Sequence, residues 1–196
     1  MHTSSFNVFS INNLKKIEQL IWDFFQQGVK NKKSAFHLPT IATCSEKSFN
    51  LRTVVLRQVI REDNIVVFHT DIRSKKITEL KSNNKLLLHI YDKKNKIQIQ
   101  AEGKAKIFNK VKLNNLTWSK LSNNTKLTYL IKETPGKKID NEKDFKYLTY
   151  DEGYKNFSIV KVKISKIIFL QLNHNGNKKA LFKYERKNNK YFWLAP

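Results

Sequence analysis

Hydrophobic residues recur at two different spacings along this chain, and the two spacings divide it into helices and strands. From Ser10 to Val29 the apolar side chains follow a helical period, which predicts an amphipathic helix with Ser10 as its N-cap. The apolar stripe of this helix consists of Ile11, Leu14, Ile17, Leu20, Ile21, Phe24 and Phe25. Trp22 falls one position off the stripe and therefore marks a second contact surface.

Shorter apolar runs between turn-forming residues predict the strands. The predicted strands are Ala35 to Thr43, Phe49 to Ile60, Ile65 to Thr70, Lys85 to Tyr91, Ile97 to Phe108, Phe157 to Leu172, Lys178 to Glu185 and Lys190 to Leu194. Gly103, inside the long fifth strand, predicts a bulge or a close backbone approach. Further helices are predicted at Arg73 to Asn83, Asn109 to Leu121 and Asn124 to Lys132, and a polar irregular loop at 133–156.

A run of strands with helices inserted at a few points indicates an α+β fold built on an antiparallel barrel. We find no internal repeat, so we predict a single domain over residues 1–196. Its predicted parts are an N-terminal helix in 1–33, a barrel core in 35–108, helices in 109–132 and C-terminal strands in 157–196. The stretch Val54-Val55-Leu56 is apolar on both faces of its strand, which predicts a central place in the sheet.

Composition narrows the class of protein. The hydrophobic fraction of 40% predicts a folded chain, and no apolar run approaches the roughly 20 residues of a membrane span. The N-terminus lacks a signal-peptide pattern, and the single cysteine, Cys44, has no metal-ligand spacing around it. These features predict a soluble cytoplasmic protein without a metal site.

The formal net charge of +22 raises the alternative of a non-enzymatic nucleic-acid-binding protein. The cations are nearly all lysines, and they are spread along the whole chain without a single dense patch. Arginine, the usual reader of bases and phosphates, is scarce. A bland basic surface is therefore the favoured interpretation, and nucleic acid is not an expected partner.

Basic and hydroxyl side chains gather at the start of one predicted helix, in the run Arg73-Ser74-Lys75-Lys76. A helix start offers free backbone N–H groups and the positive end of the helix dipole. Together with cations and a hydroxyl, these are the groups that a phosphate monoester requires. The alternative is a capped helix whose basic first turn is simply solvated.

Three other polar residues have a functional and a structural interpretation. Arg52 and Arg57 border an apolar strand and need partners, which are either internal carboxylates or a ligand anion. Gln98 can read the donor and acceptor edge of a heterocycle, or it is an outward polar residue on a half-exposed strand.

At these residues the sequence resembles the pyridoxamine 5′-phosphate oxidase-like flavoproteins, whose fold is an FMN-binding split barrel. The family pattern Arg-x-Val-Leu-Leu-Lys is similar to Arg52-Thr53-Val54-Val55-Leu56-Arg57. The Phe-Tyr-Thr…Ser-Arg-Lys pattern is similar to Phe68-His69-Thr70 followed by Ser74-Lys75-Lys76. The Arg-Gln-Val…Gly pattern is similar to Ile97-Gln98-Ile99 through Gly103, and the ending Trp…Leu-Ala-Pro to Trp193-Leu194-Ala195-Pro196.

The resemblance implies FMN as the cofactor and a homodimer that holds FMN at its interface. It implies FMN contacts along the strand from Arg52 through Thr53, Val54, Val55, Leu56 and Arg57. It places His69 and Thr70 on the ring or phosphate side, Arg73, Ser74, Lys75 and Lys76 around the phosphate, and Gln98 on the flavin. Arg57 is the candidate catalytic cation near the substrate or the reduced ring.

Two positions depart from the members that oxidise pyridoxamine phosphate. Leu170 falls where those members have a tryptophan, and Leu181 replaces a basic residue of their Arg-x-His-Asp-Arg cluster. Lys178 and Lys179 keep some charge there and are candidate contacts for an anionic substrate. The resemblance implies an FMN-dependent oxidase of an amine or alcohol that passes hydride to FMN, with a B6 vitamer phosphate among the candidate substrates. The alternative within the fold is an FMN-binding or flavin-reducing protein without B6 oxidase activity.

Overall fold

The computed structural model describes residues 11–45, 48–109, 111–141, 145–186 and 188–196, without the side chains of 111–113. Its strands are β1 (Thr40–Ser45), β2 (Ser48–Thr53), β3 (Leu56–Ile60), β4 (Ile65–Asp71), β5 (Lys85–Asp92), β6 (Ile97–Phe108), β7 (Phe157–Gln171), β8 (Lys178–Lys183) and β9 (Lys190–Leu194). Its α-helices are α1 (Leu14–Lys30), α2 (Lys75–Ser82), α3 (Val111–Ser119), α4 (Asn123–Leu130) and α5 (Tyr150–Asn156). Among these described helices, none has the length and apolar character that crossing a membrane requires.

The strands form one antiparallel sheet in the order β2-β1-β5-β6-β7-β4-β3, with β8 paired to β7 and β9 paired to β8. The long strand β7 connects the parts of the sheet, because it pairs with β6 on one side and with both β4 and β8 on the other. Residues of alternate positions on these strands are buried in a common core with α1. The antiparallel α+β architecture predicted from the sequence is confirmed.

Helix α1 packs its apolar stripe into this core. It begins after Asn13, whose side chain caps the first turn, while the predicted cap Ser10 lies outside the described residues. Trp22 is completely buried, and its ring packs against Phe25 at a centroid distance of 5.5 Å. Its indole Nε1 donates to the Tyr184 hydroxyl at 2.9 Å. The second contact surface predicted at Trp22 therefore packs against Tyr184, in the segment that follows β8.

The predicted strand from Phe49 to Ile60 is interrupted, and the interruption is the main correction to the sequence-based fold. The chain leaves the sheet at Val54 and Val55, between β2 and β3. The Val54 N–H donates to the carbonyl oxygen of Pro39 at 3.0 Å, so it is satisfied outside the sheet ladder. Strands β2 and β3 consequently lie at the two ends of the strand order, and the predicted central place of this stretch is wrong.

Two shorter segments also differ from the predictions. Residues Ala35–His37, predicted as the start of a strand, form a 3-10 turn because the Ser34 hydroxyl accepts the Phe36 N–H at 3.2 Å. Part of the predicted loop at 133–156 is helix α5, which begins at a reciprocal capping box between Thr149 and Glu152. A helix of this length is too short to produce a clear hydrophobic period, so its capping box was the only available signal.

Gly103 lies at the bulge that its position in the sequence predicts, because the pairing of β6 with β7 shifts between Glu102 and Gly103. A Cβ at Gly103 would lie 2.6 Å from the carbonyl oxygen of Lys163. We expect Gly103→Ala to destabilise the fold by about 1–3 kcal/mol in urea unfolding, since the backbone must shift. The outward-facing control Gln100→Ala should change stability by less than about 0.5 kcal/mol. Equal stability of the two variants would contradict the close approach.

Candidate functional site

Polar side chains meet where β4 ends and α2 begins, and we call Arg52, Thr70, Ser74 and Lys76 the basic corner. The Lys76 ammonium donates to the Thr70 hydroxyl at 2.9 Å, and that hydroxyl lies 3.3 Å from the Ser74 hydroxyl. Burial lowers the pKa of Lys76, and the positive charge of Arg52 lowers it further. Two cations thus share one partly buried place, where an anion would stabilise both.

Arg52 reaches this corner from β2 and is held by Glu79 of α2. The buried Glu79 carboxylate accepts from the Arg52 guanidinium at 3.2 Å and from the Asn50 amide at 2.7 Å. The Thr43 hydroxyl also donates to Glu79 and accepts from Arg52. The sequence left the partner of Arg52 open between a carboxylate and a ligand, and Glu79 is that internal carboxylate. Burial and then Arg52 lower the pKa of Lys76, whereas two carboxylates, Asp71 and Glu79, raise it. Asp71 is paired with Arg73, so the corner keeps a net positive charge.

The backbone at the start of α2 completes the anion site. The N-cap Ser74 makes no side-chain capping bond, because its hydroxyl donates to the Asp71 carbonyl oxygen at 2.7 Å. Within the described part of the chain, the N–H groups of Lys75 and Lys76 donate no hydrogen bond. Free N–H groups at a helix start, a hydroxyl and two cations match the donor set of a phosphate monoester. The residues present therefore fit the phosphate of FMN.

The side chain of Arg73 is engaged by groups of the protein itself. Its guanidinium binds the Asp71 carboxylate, with Nη2 at 2.7 Å from Oδ2 and Nε at 3.0 Å from Oδ1. The same group donates to the carbonyl oxygens of Ile131 and Lys132, each at 2.9 Å. Arg73 thus fastens the end of α4 to the end of β4, and its predicted contact with a phosphate would require these bonds to rearrange. Lys75 is exposed beside it.

Thr53 to Leu56, which the sequence predicts to contact FMN, lie at the break between β2 and β3. Val54 and Leu56 are buried in the core, whereas Thr53 is exposed and Val55 is half-buried. Since two of the four side chains point inward, a ligand can contact mainly the backbone of this segment and the side chains of Thr53 and Val55. Arg57 follows directly and is exposed.

A cleft of about 470 Å³ opens beside Arg57, between the outer faces of β3, β4 and β7 and helix α3. Its charged lining consists of Arg57, Lys120 and Lys161, and its apolar lining of Val67, Phe108, Leu116, Leu121 and Ile159. Asn114, which the sequence did not single out, is buried at the cleft and donates to the Phe108 carbonyl oxygen at 3.1 Å. Apolar walls with cations and no lining carboxylate among the described residues suit an organic anion.

His69 lines the same cleft as a neutral imidazole. Its ring meets Phe157 edge to face at a centroid distance of 5.0 Å, and its Nδ1 is buried without a hydrogen-bond partner in the described structure. Burial and then the nearby charge of Arg57 lower its pKa to about 4. A neutral imidazole with an unused nitrogen can accept a ligand N–H or O–H, or donate to a ligand acceptor.

His69 should make folding stability depend on pH. Its pKa falls from 6.5 in the unfolded chain to about 4 in the folded protein, so between these values the unfolded chain binds more protons. Its contribution is intact above pH 6.5 and is lost as the pH falls toward 4, by up to about 3 kcal/mol. Urea unfolding of His69→Phe should therefore show a smaller loss of stability between pH 7 and pH 4.5 than the parent. Parallel losses would contradict the buried neutral state.

The remaining predicted contacts lie in a separate row on the outer face of the sheet. The register places Gln98 of β6 opposite Leu170 of β7, and Leu170 opposite Lys179 of β8. Lys178 points elsewhere and donates to the Asn12 side chain at 2.6 Å. Among the described contacts, none joins this row to the basic corner of the same chain. One chain therefore carries two separate groups of predicted site residues.

Comparison with known proteins identifies the fold and the cofactor of the matching family domain. Residues 18–109 match the family model described as the pyridoxamine 5′-phosphate oxidase, FMN-binding domain. Among solved structures, a pyridoxamine 5′-phosphate oxidase-related, FMN binding protein from Nostoc punctiforme PCC 73102 superposes with a TM-score of 0.75 at 17% identity, covering 91% of this chain and 96% of its own. PhzG from Burkholderia lata 383, in complex with tetrahydrophenazine-1-carboxylic acid, gives 0.72 at 12% identity, covering 96% of each chain.

Among curated proteins, none matches this sequence significantly. The likeness to the two solved structures concerns the fold, and the family match covers the segment that contains β2, β3, the basic corner and Gln98. The cofactor of that family domain is FMN. Residues 18–109 of the chain thus match the FMN-binding domain of pyridoxamine 5′-phosphate oxidase, and the chain has the fold of solved FMN-binding proteins related to that oxidase.

Proposed function

We propose that this protein is an FMN-dependent oxidoreductase that oxidises an amine or an alcohol. The observation that carries the proposal is the basic corner, which combines two cations, two hydroxyls and free helix N–H groups inside the FMN-binding domain. Bound there, FMN supplies the two-electron chemistry by accepting a hydride. The described residues supply binding, orientation and electrostatics.

Lys76, Ser74, Thr70 and the start of α2 hold the phosphate in this proposal. Arg52 adds a second positive charge, and Glu79 fixes its direction. Lys75 stands at the exposed rim of the same helix end. From this anchor, the segment between Thr53 and Arg57 leads to the cleft that Arg57 lines, and it would supply contacts to the flavin.

The cleft beside Arg57 is the proposed substrate site. Arg57 orients an anionic substrate and stabilises negative charge that develops near the reduced ring. His69 contributes a neutral hydrogen-bonding group, because its low pKa keeps it unprotonated at neutral pH. The apolar side chains of the cleft would shield bound reacting atoms from part of the solvent.

A second copy of the chain completes the site. Gln98 and Lys179 lie on the sheet face that also exposes Leu51 and Leu87, at 72% and 50% of their surfaces, with Phe49 of β2 exposed at 85%. Apolar side chains this exposed favour a protein contact. We therefore propose a homodimer in which the basic corner of one chain and the Gln98 row of its partner hold the same FMN.

Anaerobic mixing of the FMN-loaded protein with candidate substrates tests the proposed activity. Pyridoxamine 5′-phosphate and pyridoxine 5′-phosphate come first, since the family domain is named for this oxidation. The proposal predicts bleaching of the flavin absorbance by an amine or alcohol substrate, followed by recovery with hydrogen peroxide release when oxygen is admitted. Arg57→Ala should slow the bleaching while FMN stays bound.

The flavin-reducing alternative gives a different result in the same apparatus. In that case amines and alcohols leave the flavin oxidised, whereas a reduced nicotinamide bleaches it. That outcome would overturn the oxidase proposal and leave the FMN-binding fold unchanged.

A further inference from the structure

Five lysines that lie far apart in the sequence are brought together on the outer face of the sheet. Lys85, Lys104 and Lys163 lie directly opposite one another on β5, β6 and β7. Lys106 and Lys161 form a second row, two residues further along β6 and β7. Alternate residues of these strands are buried, so all five side chains leave the sheet on the solvent side. We call them the lysine rows.

The arrangement is electrostatically unfavourable for the isolated protein. Like charges directly opposite each other on neighbouring strands destabilise a sheet. Among the ion pairs of the described residues, none involves a member of the lysine rows. The carboxylate nearest along β6 on this face, Glu102, is paired with Lys166 instead. An external polyanion would relieve the repulsion between the rows.

An aromatic ring stands at the end of the rows. The ammonium groups of Lys106 and Lys161 lie 5.4 Å and 5.2 Å from the ring centroid of Phe108. The partly buried Phe108 ring also lines the cleft, where a base would stack on it by displacing one of these ammonium groups. Strand geometry spaces the lysines by about 4.8 Å across strands and about 6.8 Å along them, which gives a compact cationic grid beside a stacking surface.

We propose that the lysine rows and Phe108 bind single-stranded nucleic acid, as a role beyond the FMN chemistry. Single-strand binding surfaces have two components. Lysines line the path of the nucleic-acid backbone, and an aromatic side chain beside them stacks on a base. A duplex is read by a helix or ribbon inserted into a groove, whereas these lysines lie on the face of a sheet. Lys76 and the basic corner take no part in this proposal. Lys161 and Phe108 also line the proposed substrate cleft, and Lys85 lies two residues from Leu87 on the exposed face of β5.

Fluorescence anisotropy with a single-stranded DNA oligonucleotide of about 20 nucleotides tests the proposal on the full chain. One variant replaces the rows, as K85Q, K104Q, K106Q, K161Q and K163Q. The matched control removes the same charge elsewhere, as K30Q, K32Q, K33Q, K93Q and K94Q, all on exposed positions. Melting temperature and FMN retention of both variants report whether the fold is intact.

The row variant should bind at least about tenfold more weakly than the control variant, and its dependence of log Kd on log salt should be shallower by about 2–3. Phe108→Ala should weaken binding about tenfold without changing the salt slope. Equal losses in both five-lysine variants would show that bulk charge alone attracts the strand and would overturn the proposal. Tighter binding to a duplex of the same length, or to anionic lipid vesicles, would overturn it as well.

Discussion

Lys76→Met should weaken FMN binding by about 10–100-fold, measured by the quenching of flavin fluorescence on titration. In the proposed site, Lys76 donates one charge-assisted hydrogen bond to the phosphate at the start of α2, and such a bond contributes about 1.5–3 kcal/mol. Methionine keeps the length and apolar stem of the side chain, so the loss isolates the charge. Lys81→Met is the matched control, because it removes the same charge from the other end of the same helix. Equal FMN affinities of the two variants would show that the basic corner does not bind the FMN phosphate.

The same corner should make FMN affinity fall as the pH rises. Burial, with the charge of Arg52, lowers the pKa of Lys76 below its ordinary value of 10.5. Deprotonation then removes the positive charge at a lower pH than for an exposed lysine, and the phosphate loses its partner. The effect should be present in the parent protein and absent from Lys76→Met.

Glu79→Ala should cost about 3–5 kcal/mol of folding stability, measured by urea unfolding of the FMN-free protein. The Glu79 carboxylate is only 3% exposed and accepts hydrogen bonds from Arg52, Asn50 and Thr43. Its removal leaves a partly buried guanidinium and two polar side chains without their acceptor, and breaking such a pair by deleting one partner is strongly destabilising. The packing of α2 against β1 would loosen with it.

Glu79→Gln separates the charge from the hydrogen bonds. The amide keeps one acceptor oxygen for Arg52 and about the same volume, so we expect a loss smaller than that of alanine. A loss below about 1 kcal/mol for Glu79→Ala would contradict the role of this carboxylate as the internal partner of Arg52.

Elements with a clear hydrophobic period could be predicted from the sequence. Elements whose ends depend on a single hydrogen bond to a distant part of the chain could not. The bounds of β6 and β9 agree with the apolar pattern, because a polar turn precedes each strand. The break at Val54 and Val55 depends on a hydrogen bond to Pro39, which lies on another part of the chain. Apolar side chains continue through the break, so the pattern suggested one unbroken strand.

The candidate site shows the same division. Ser74 and Lys76 were visible because a hydroxyl and a cation at a helix start form a local pattern. Glu79 left no such signal, since its partners Arg52 and Thr43 lie on strands far away in the sequence. Arg73 belongs to the local pattern by position, yet Asp71 two residues before it and the end of α4 engage its guanidinium.

The lysine rows depend on register alone. Lys85, Lys104 and Lys163 lie on three strands whose pairing cannot be read from the composition. Lysines dispersed along the sequence therefore indicated a basic surface without a binding function. Only the pairing of β5, β6 and β7 shows that these charges are neighbours. Predicting such a patch requires the strand order and the bulge at Gly103, which shifts the pairing by one residue.

In the proposed site, the basic corner anchors FMN by its phosphate. The most direct test compares the dissociation constants of FMN and riboflavin for the unmodified protein, by equilibrium titration of flavin fluorescence at neutral pH. Riboflavin has the same ring and ribityl chain without the phosphate. The basic corner predicts that FMN binds at least about 100-fold more tightly than riboflavin, from two or more charge-assisted hydrogen bonds. Equal affinities for the two flavins, or no binding of FMN, would contradict it.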